Sequence, residues 1–325
     1  MAQNKISLAF KGMAMGIAEV IPGVSGGTIA FITGIYEQLI NSIKAFGPEA
    51  FKELKTNGVR GFWKAIDGNF LLNLMIGMGI GVILGIFGVS YLLENYPEPL
   101  WGFFFGLIAA SAIYIARQIE NWNIRLGTVL LIGIVVAYGI TMLSPAEGSL
   151  HPLYIFISGL LAISALLLPG ISGSFILLLL GMYTVIIPTI KDFLRTFDMA
   201  SLIVIAIFAS GCLVGLLGFS RVLSWLLAKY RDLSFALLTG FIIGALNKVW
   251  PWRNVTMILD KESGERMDVL DLSNFSNIDP EKIKILREVN CLPGDYMMAD
   301  PHTILTIFCT FAGLFSVLLL GKLDK

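Results

Sequence analysis

The sequence predicts an all-α polytopic membrane protein with an inverted-topology repeat, each half a re-entrant broken helical hairpin plus three transmembrane helices. Three observations support that class. Of 325 residues, 56% are hydrophobic and only 14% charged, against about 25% charged in a soluble domain, and mean hydropathy is +0.80. The apolar residues collect in runs close to the roughly 20 needed to cross about 30 Å of hydrocarbon. Two broken apolar stretches repeat each other within the chain. Composition excludes a soluble enzyme, and the lack of alternating strands of roughly ten residues excludes an outer-membrane barrel.

The elements follow in order. The stretch 6–44 is apolar but interrupted at Pro22-Gly23. As one helix it would be about 57 Å long, nearly twice the bilayer, so it reads as a helix, a sharp turn and a second helix. Lys11 and Glu19 interrupt it and no small-residue cleavage site follows, so no cleaved signal peptide is expected. A polar linker, 45–68, leads to spans at 69–93, 99–117 and 124–143, completing a first repeat over 1–147. The second repeat, 148–325, opens with a hairpin at 153–191 broken by Pro169-Gly170, then has spans at 201–228, 233–250 and 302–321. Between its last two spans lies 251–301, with six Lys/Arg against ten Asp/Glu and a net charge of −4. It reads as an extramembrane cap with a hairpin around Lys261–Arg266.

The repeat is explicit. Pro22-Gly23-Val24-Ser25-Gly26-Gly27 matches Pro169-Gly170-Ile171-Ser172-Gly173-Ser174 at an offset of 147, and Gly34/Gly181, Tyr36/Tyr183 and Lys44/Lys191 continue it. A second block aligns at 134: Gly77/Gly211, Gly81/Gly215, Ser90/Ser224, Tyr96/Tyr230 and Gly106/Gly240. Three crossings per repeat is an odd number, which inverts the second copy. With both hairpins re-entrant, the termini, 45–68, 117–125 and 221–231 share one basic face, while the opposing short loops hold only Lys191 and Arg195. The positive-inside rule then puts both termini in the cytoplasm.

The turns carry the chemistry. Ser25 and Ser172 are natural N-caps, and the N–H groups of Gly26, Gly27, Thr28, Gly173 and Ser174 behind them have no intrahelical acceptor. Pro22, Gly23, Pro169 and Gly170 form the hinges. Irregular backbone is tolerated at membrane depth only inside protein or along a cavity, so the paired turns read as an anion site. A helix N-terminus contributes about 0.3–1 kcal/mol to an anion, whereas desolvating one costs several kcal/mol. A fixed cation is therefore required. Arg221, inside the apolar run Gly218–Leu227, is the first candidate; Arg117, at the end of a span, is the second, though snorkelling is its plainer explanation. Glu19 faces the negative end of its half-helix, which makes it a candidate proton carrier or arginine partner. Lys11 and Glu37 read as interfacial. The ladders Gly77-Gly81-Gly85, Gly211-Gly215, Gly102-Gly106 and Gly240-Gly244 are small-residue packing faces.

Other chemistries fit poorly. Gly23-Val24-Ser25-Gly26 and Gly170-Ile171-Ser172-Gly173 both spell the GxSG of intramembrane serine proteases, but the only histidines, His151 and His302, stand at span boundaries. A histidine base must reach its serine, so a non-enzyme is expected. Cys212, Cys291 and Cys309 form no CxxC pair, so neither a metal site nor a disulfide framework is expected. No phosphate-loop motif GxxxxGK[ST] occurs, and no cofactor is implied. The formal charge is zero, which offers nothing to a nucleic acid. A homo-oligomer is left open.

Gly16-Ile17-Ala18-Glu19-Val20-Ile21-Pro22-Gly23-Val24-Ser25-Gly26-Gly27-Thr28, with Gly34-Ile35-Tyr36-Glu37 after it, closely resembles the prokaryotic polyprenyl-phosphate transporters. Pro169 to Ser174 and Gly181-Met182-Tyr183 resemble that family's second signature. The resemblance implies a flippase that returns undecaprenyl phosphate from the outer to the inner leaflet of the bacterial cytoplasmic membrane, sustaining peptidoglycan synthesis, with the lipid as partner. Proton coupling through Glu19 is read from the residues alone. The competing reading is a carrier or channel for a small soluble anion or ion on the same scaffold.

Overall fold

The computed structural model describes residues 5–21, 24–143, 145–260, 266–268 and 283–323. Pro22 and Gly23 therefore lie outside the described residues. The first hairpin holds three helices, α1 (Lys5–Val20), α2 (Gly26–Ile32) and α3 (Tyr36–Lys44), where two were expected. The extra break is at Gly34, whose φ of 70° is a left-handed conformation that stops a helix and that glycine adopts freely. The linker 45–68 forms α4 (Pro48–Ala65), kinked at Gly58. Three spans follow, α5 (Gly68–Asn95), α6 (Pro97–Ala116) and α7 (Ile124–Met142).

The second hairpin repeats the pattern with α8 (Pro152–Leu167), α9 (Gly173–Leu179) and α10 (Tyr183–Thr196). Gly181, aligned with Gly34, has φ 68°, and α9 and α10 meet at a 105° bend. Then come α11 (Met199–Lys229) and α12 (Arg231–Ala245), a 3-10 turn at Leu246–Val249, strands β1 (Arg253–Asp260), β2 (Arg266–Asp268) and β3 (Ile283–Asn290), and finally α13 (Thr303–Leu323). Five helices among the described residues are long and apolar enough to cross a bilayer: α5, α6, α7, α11 and α12 with its 3-10 turn. The described apolar part of α13, Thr303–Val317, is shorter. Large apolar side chains such as Phe87, Ile124 and Phe308 are exposed, an architecture compatible with a polytopic membrane protein.

The glycine ladders hold backbone against backbone. On α5, a methyl at Gly77 would sit 2.1 Å from the Ala9 carbonyl oxygen and one at Gly81 2.1 Å from that of Met13, both on α1. On α11, Gly211 and Gly215 meet Phe156 and Leu160 of α8 in the same way. Gly106 of α6 faces Thr310 of α13, while Gly240 of α12 faces Leu130 of α7. Such close approach is what drives helix association where lipid offers no hydrophobic gain. Each half thus pairs its first helix with its long span, and the halves exchange a partner through α6–α13 and α7–α12.

The segment 251–301 contains a sheet of order β2-β1-β3, antiparallel throughout. The connection between β1 and β2, where a hairpin was expected, lies outside the described residues. Glu98, 1% exposed at the start of α6, anchors this segment: it accepts a 2.7 Å bond from Tyr296 Oη and lies 3.4 Å from His302 Nδ1. Burial, then the Glu98 carboxylate, push the Tyr296 phenol above its usual range, so it stays a donor. Arg253 also stacks 4.8 Å over the Trp101 ring of α6.

Candidate functional site

The two Pro-Gly turns dock on each other. Helix α8 ends with carbonyls that have no intrahelical donor, and the first hairpin supplies donors to them. Tyr36 Oη donates to Leu167 O at 2.7 Å, and Ser25 Oγ to Leu168 O at 3.4 Å. In the reverse direction the Gly170 N–H donates to Thr28 Oγ1 at 3.0 Å. Ser25, Thr28 and Ser172 are all at most 2% exposed, so these bonds are made inside protein. They tie Ser25 and Thr28 to the second turn.

The first turn is not open as expected. Ser25 is extended (φ −114°, ψ 130°) and caps α2 by accepting from the Gly27 N–H at 3.1 Å, and its carbonyl takes the Thr28 N–H at 3.0 Å. The Gly26 N–H donates to Glu19 Oε1 at 2.7 Å. All three donors assigned to a ligand are thus occupied by the chain itself. The reason is local: Glu19 stands in the last turn of α1, and glycine at 26 leaves room for its carboxylate, since a methyl there would be 2.6 Å from Oε1. The carboxylate holds the position that an oxygen of an anionic ligand would take.

The second turn differs. By the offset of 147, Leu166 stands where Glu19 would be, so no carboxylate reaches it. Gly170 has φ 85° and presses against the Ile242 backbone of α12. Ser172 makes no capping bond; its Oγ pairs with Ser174 Oγ at 2.8 Å. Among the described residues, no protein acceptor takes the Gly173 or Ser174 N–H. A methyl at Gly173 would meet the Ala162 carbonyl at 2.6 Å, so this glycine also serves packing.

The cations sit elsewhere than expected. Arg221 is exposed, and its guanidinium donates to Leu217 O at 2.7 Å and Phe46 O at 3.2 Å, at the outer end of the first hairpin. Arg117 caps the end of α6 in an exposed position, the geometry of snorkelling. The structure brings neither to a turn, because a long flexible side chain near a helix end reaches water at lower cost than a buried site. Lys11 Nζ donates to Thr33 O at 2.5 Å, on the C-terminal end of α2. Glu37 pairs with Arg231 at 3.7 Å, both about half exposed. Sequence reasoning missed Lys248, which shares a cleft with Gly170 and Ser172. Neither turn serine hydrogen-bonds a histidine among the described residues, and no group of three or more His, Cys, Asp or Glu is placed there to hold a metal.

The chain matches the model of the VCA0040-like family, described as undecaprenyl phosphate translocase-like, over residues 15–267. It is 45% identical over 276 residues to a polyprenyl-phosphate transporter of Vibrio cholerae, covering 84% of this chain and 87% of the relative. It is 33% identical over 268 residues to a polyprenyl-phosphate transporter of Staphylococcus aureus, covering 77% and 88%. No solved structure matches it significantly.

Proposed function

Because the chain belongs to the undecaprenyl phosphate translocase-like family, we propose that it is a secondary transporter returning undecaprenyl phosphate from the outer to the inner leaflet of the bacterial cytoplasmic membrane, where envelope glycan synthesis reuses it. The observation that carries the site is the direct docking of the two turns, Thr28 on Gly170 and Ser25 on Leu168. The phosphate is held where they meet, at Ser172–Ser174 and, in the Ser25–Thr28 turn, at the Gly26 N–H. Glu19 carries the coupling proton: ionised, it occupies the Gly26 N–H; protonated, it yields that donor to the phosphate without adding a like charge. Two equivalent sets of helix pairs, with one partner exchanged between halves, support an inverted repeat in which one half rocks against the other.

Full-length protein with Ser172→Ala and Ser174→Ala is expected to lose undecaprenyl phosphate binding at least tenfold, since a hydrogen bond to a charged group is worth about 1.5–3 kcal/mol. Binding of undecaprenol should not change. Equal loss for both lipids would show that the turns do not read the phosphate. For orientation, Gln3→Cys and Asp324→Cys in a background without the native cysteines should both label only from the cytoplasmic side. Labelling from opposite sides would sink the inverted arrangement.

A further inference from the structure

Resting on that reading of the site, we propose that Lys248 is the cation that takes the phosphate, by leaving Glu288 and turning aside to admit the head group to the cleft over the second turn, which it already lines. The cleft is lined by Thr141, Gly170, Ile171, Ser172, Phe175 and Lys248. Lys248 Nζ stands 5.4 Å from the centre of the Phe175 ring, three residues beyond Ser172, so the ammonium is already at the first helical turn of α9. The cavity volume is about 20 Å³, room for a water molecule and too little for a phosphate group. Entry therefore requires a side chain to move, and the lysine is the flexible one.

Two features let it move at low cost. Its stem is fixed at the root, because the neighbouring Asn247 donates from Nδ2 to Thr141 Oγ1 at 3.1 Å and accepts at Oδ1 from Asn290 Nδ2 at 2.8 Å. Its present partner does not depend on it: Glu288 Oε2 is 3.4 Å from Lys248 Nζ but 2.9 Å from Arg253 Nη1. When Lys248 departs, Glu288 keeps the shorter pair, so no carboxylate is stranded. The cleft also has a donor to spare. Only one hydrogen lies between Ser172 Oγ and Ser174 Oγ, which leaves the second hydroxyl hydrogen for a ligand oxygen. The ligand chemistry is a phosphate oxyanion, from a lipid head group or free in water.

The test uses full-length protein in nanodiscs with farnesyl phosphate as probe, farnesol as neutral control and inorganic phosphate as competitor. Lys248→Met should weaken farnesyl phosphate binding at least tenfold and leave farnesol unchanged. Lys248→Arg should stay within threefold of wild type, and Glu288→Gln should bind equally or more tightly because the competing carboxylate is gone. Equal weakening in Lys248→Met and Glu288→Gln would mean that the lysine only pins the sheet, and would overturn the assignment, as would wild-type affinity in Lys248→Met. Inorganic phosphate competing as well as farnesyl phosphate would overturn the lipid as source. Wild type that binds both farnesyl lipids alike would instead overturn the head-group reading itself, and the lysine's role with it.

Discussion

Glu19→Gln is expected to bind polyprenyl phosphate about tenfold more tightly than wild type and to transport it at a rate that no longer varies with pH. The carboxylate lies on the Gly26 N–H at 2.7 Å, so in the proposed site phosphate and Glu19 would compete for one donor and repel each other. Two unit charges about 5 Å apart interact by roughly 3 kcal/mol at an effective dielectric of about 20; about half of that is already a factor of ten. Glutamine keeps an Oε1 acceptor for Gly26, so the turn stays capped while the charge and the titration disappear. Parallel binding and proteoliposome transport measurements between pH 6 and 9 decide the matter. An unchanged pH profile would place proton coupling elsewhere, and weaker binding would show that Glu19 supports the phosphate rather than competing with it.

Gly81→Leu should abolish accumulation of folded protein, while Gly79→Leu should be tolerated. A methyl at 81 would sit 2.1 Å from the Met13 carbonyl oxygen, and at 79 it would meet nothing within 4 Å. The obstacle at 81 is backbone, so relief requires moving α1 bodily off α5. Overpacking usually costs about 1–3 kcal/mol, and here it also removes the close approach that holds the helices together. Displacing α1 would carry Glu19 away from Gly26 as well. Yield and thermal stability by size-exclusion chromatography distinguish the two variants; equal behaviour would mean that the ladder is incidental.

Sequence periodicity and repetition revealed the long helices, the two turns and the packing ladders, because each is written as an unbroken run, a fixed spacing or a repeated motif. The break at Gly34 was also present in the text as the Gly34/Gly181 match, but a lone glycine stops a helix only when its φ turns positive, which spacing does not show. The first turn's donors read as free because the sequence sets Glu19 at the end of its own helix, whereas its carboxylate reaches the turn seven residues on. Arg221 lies in an apolar run, yet its side chain is long enough to leave that environment. Lys248 and Glu98 carried no local signal. One became visible through the fold of α12 onto the second turn, the other through the return of Tyr296 and His302 to the head of α6.

The exchange of partners between α6 and α13 also governs the order of assembly on the ribosome. Helix α6 ends at Ala116, and α13 does not begin until Thr303. At roughly 5–20 residues per second, the face of Gly102 and Gly106 waits on the order of 10–40 s in the bilayer for its mate. Helix α7 waits likewise for α12. The first half therefore cannot be completed as it is synthesised, whereas α12 and α13 meet partners already made, and a stop codon before α13 leaves α6 without its mate.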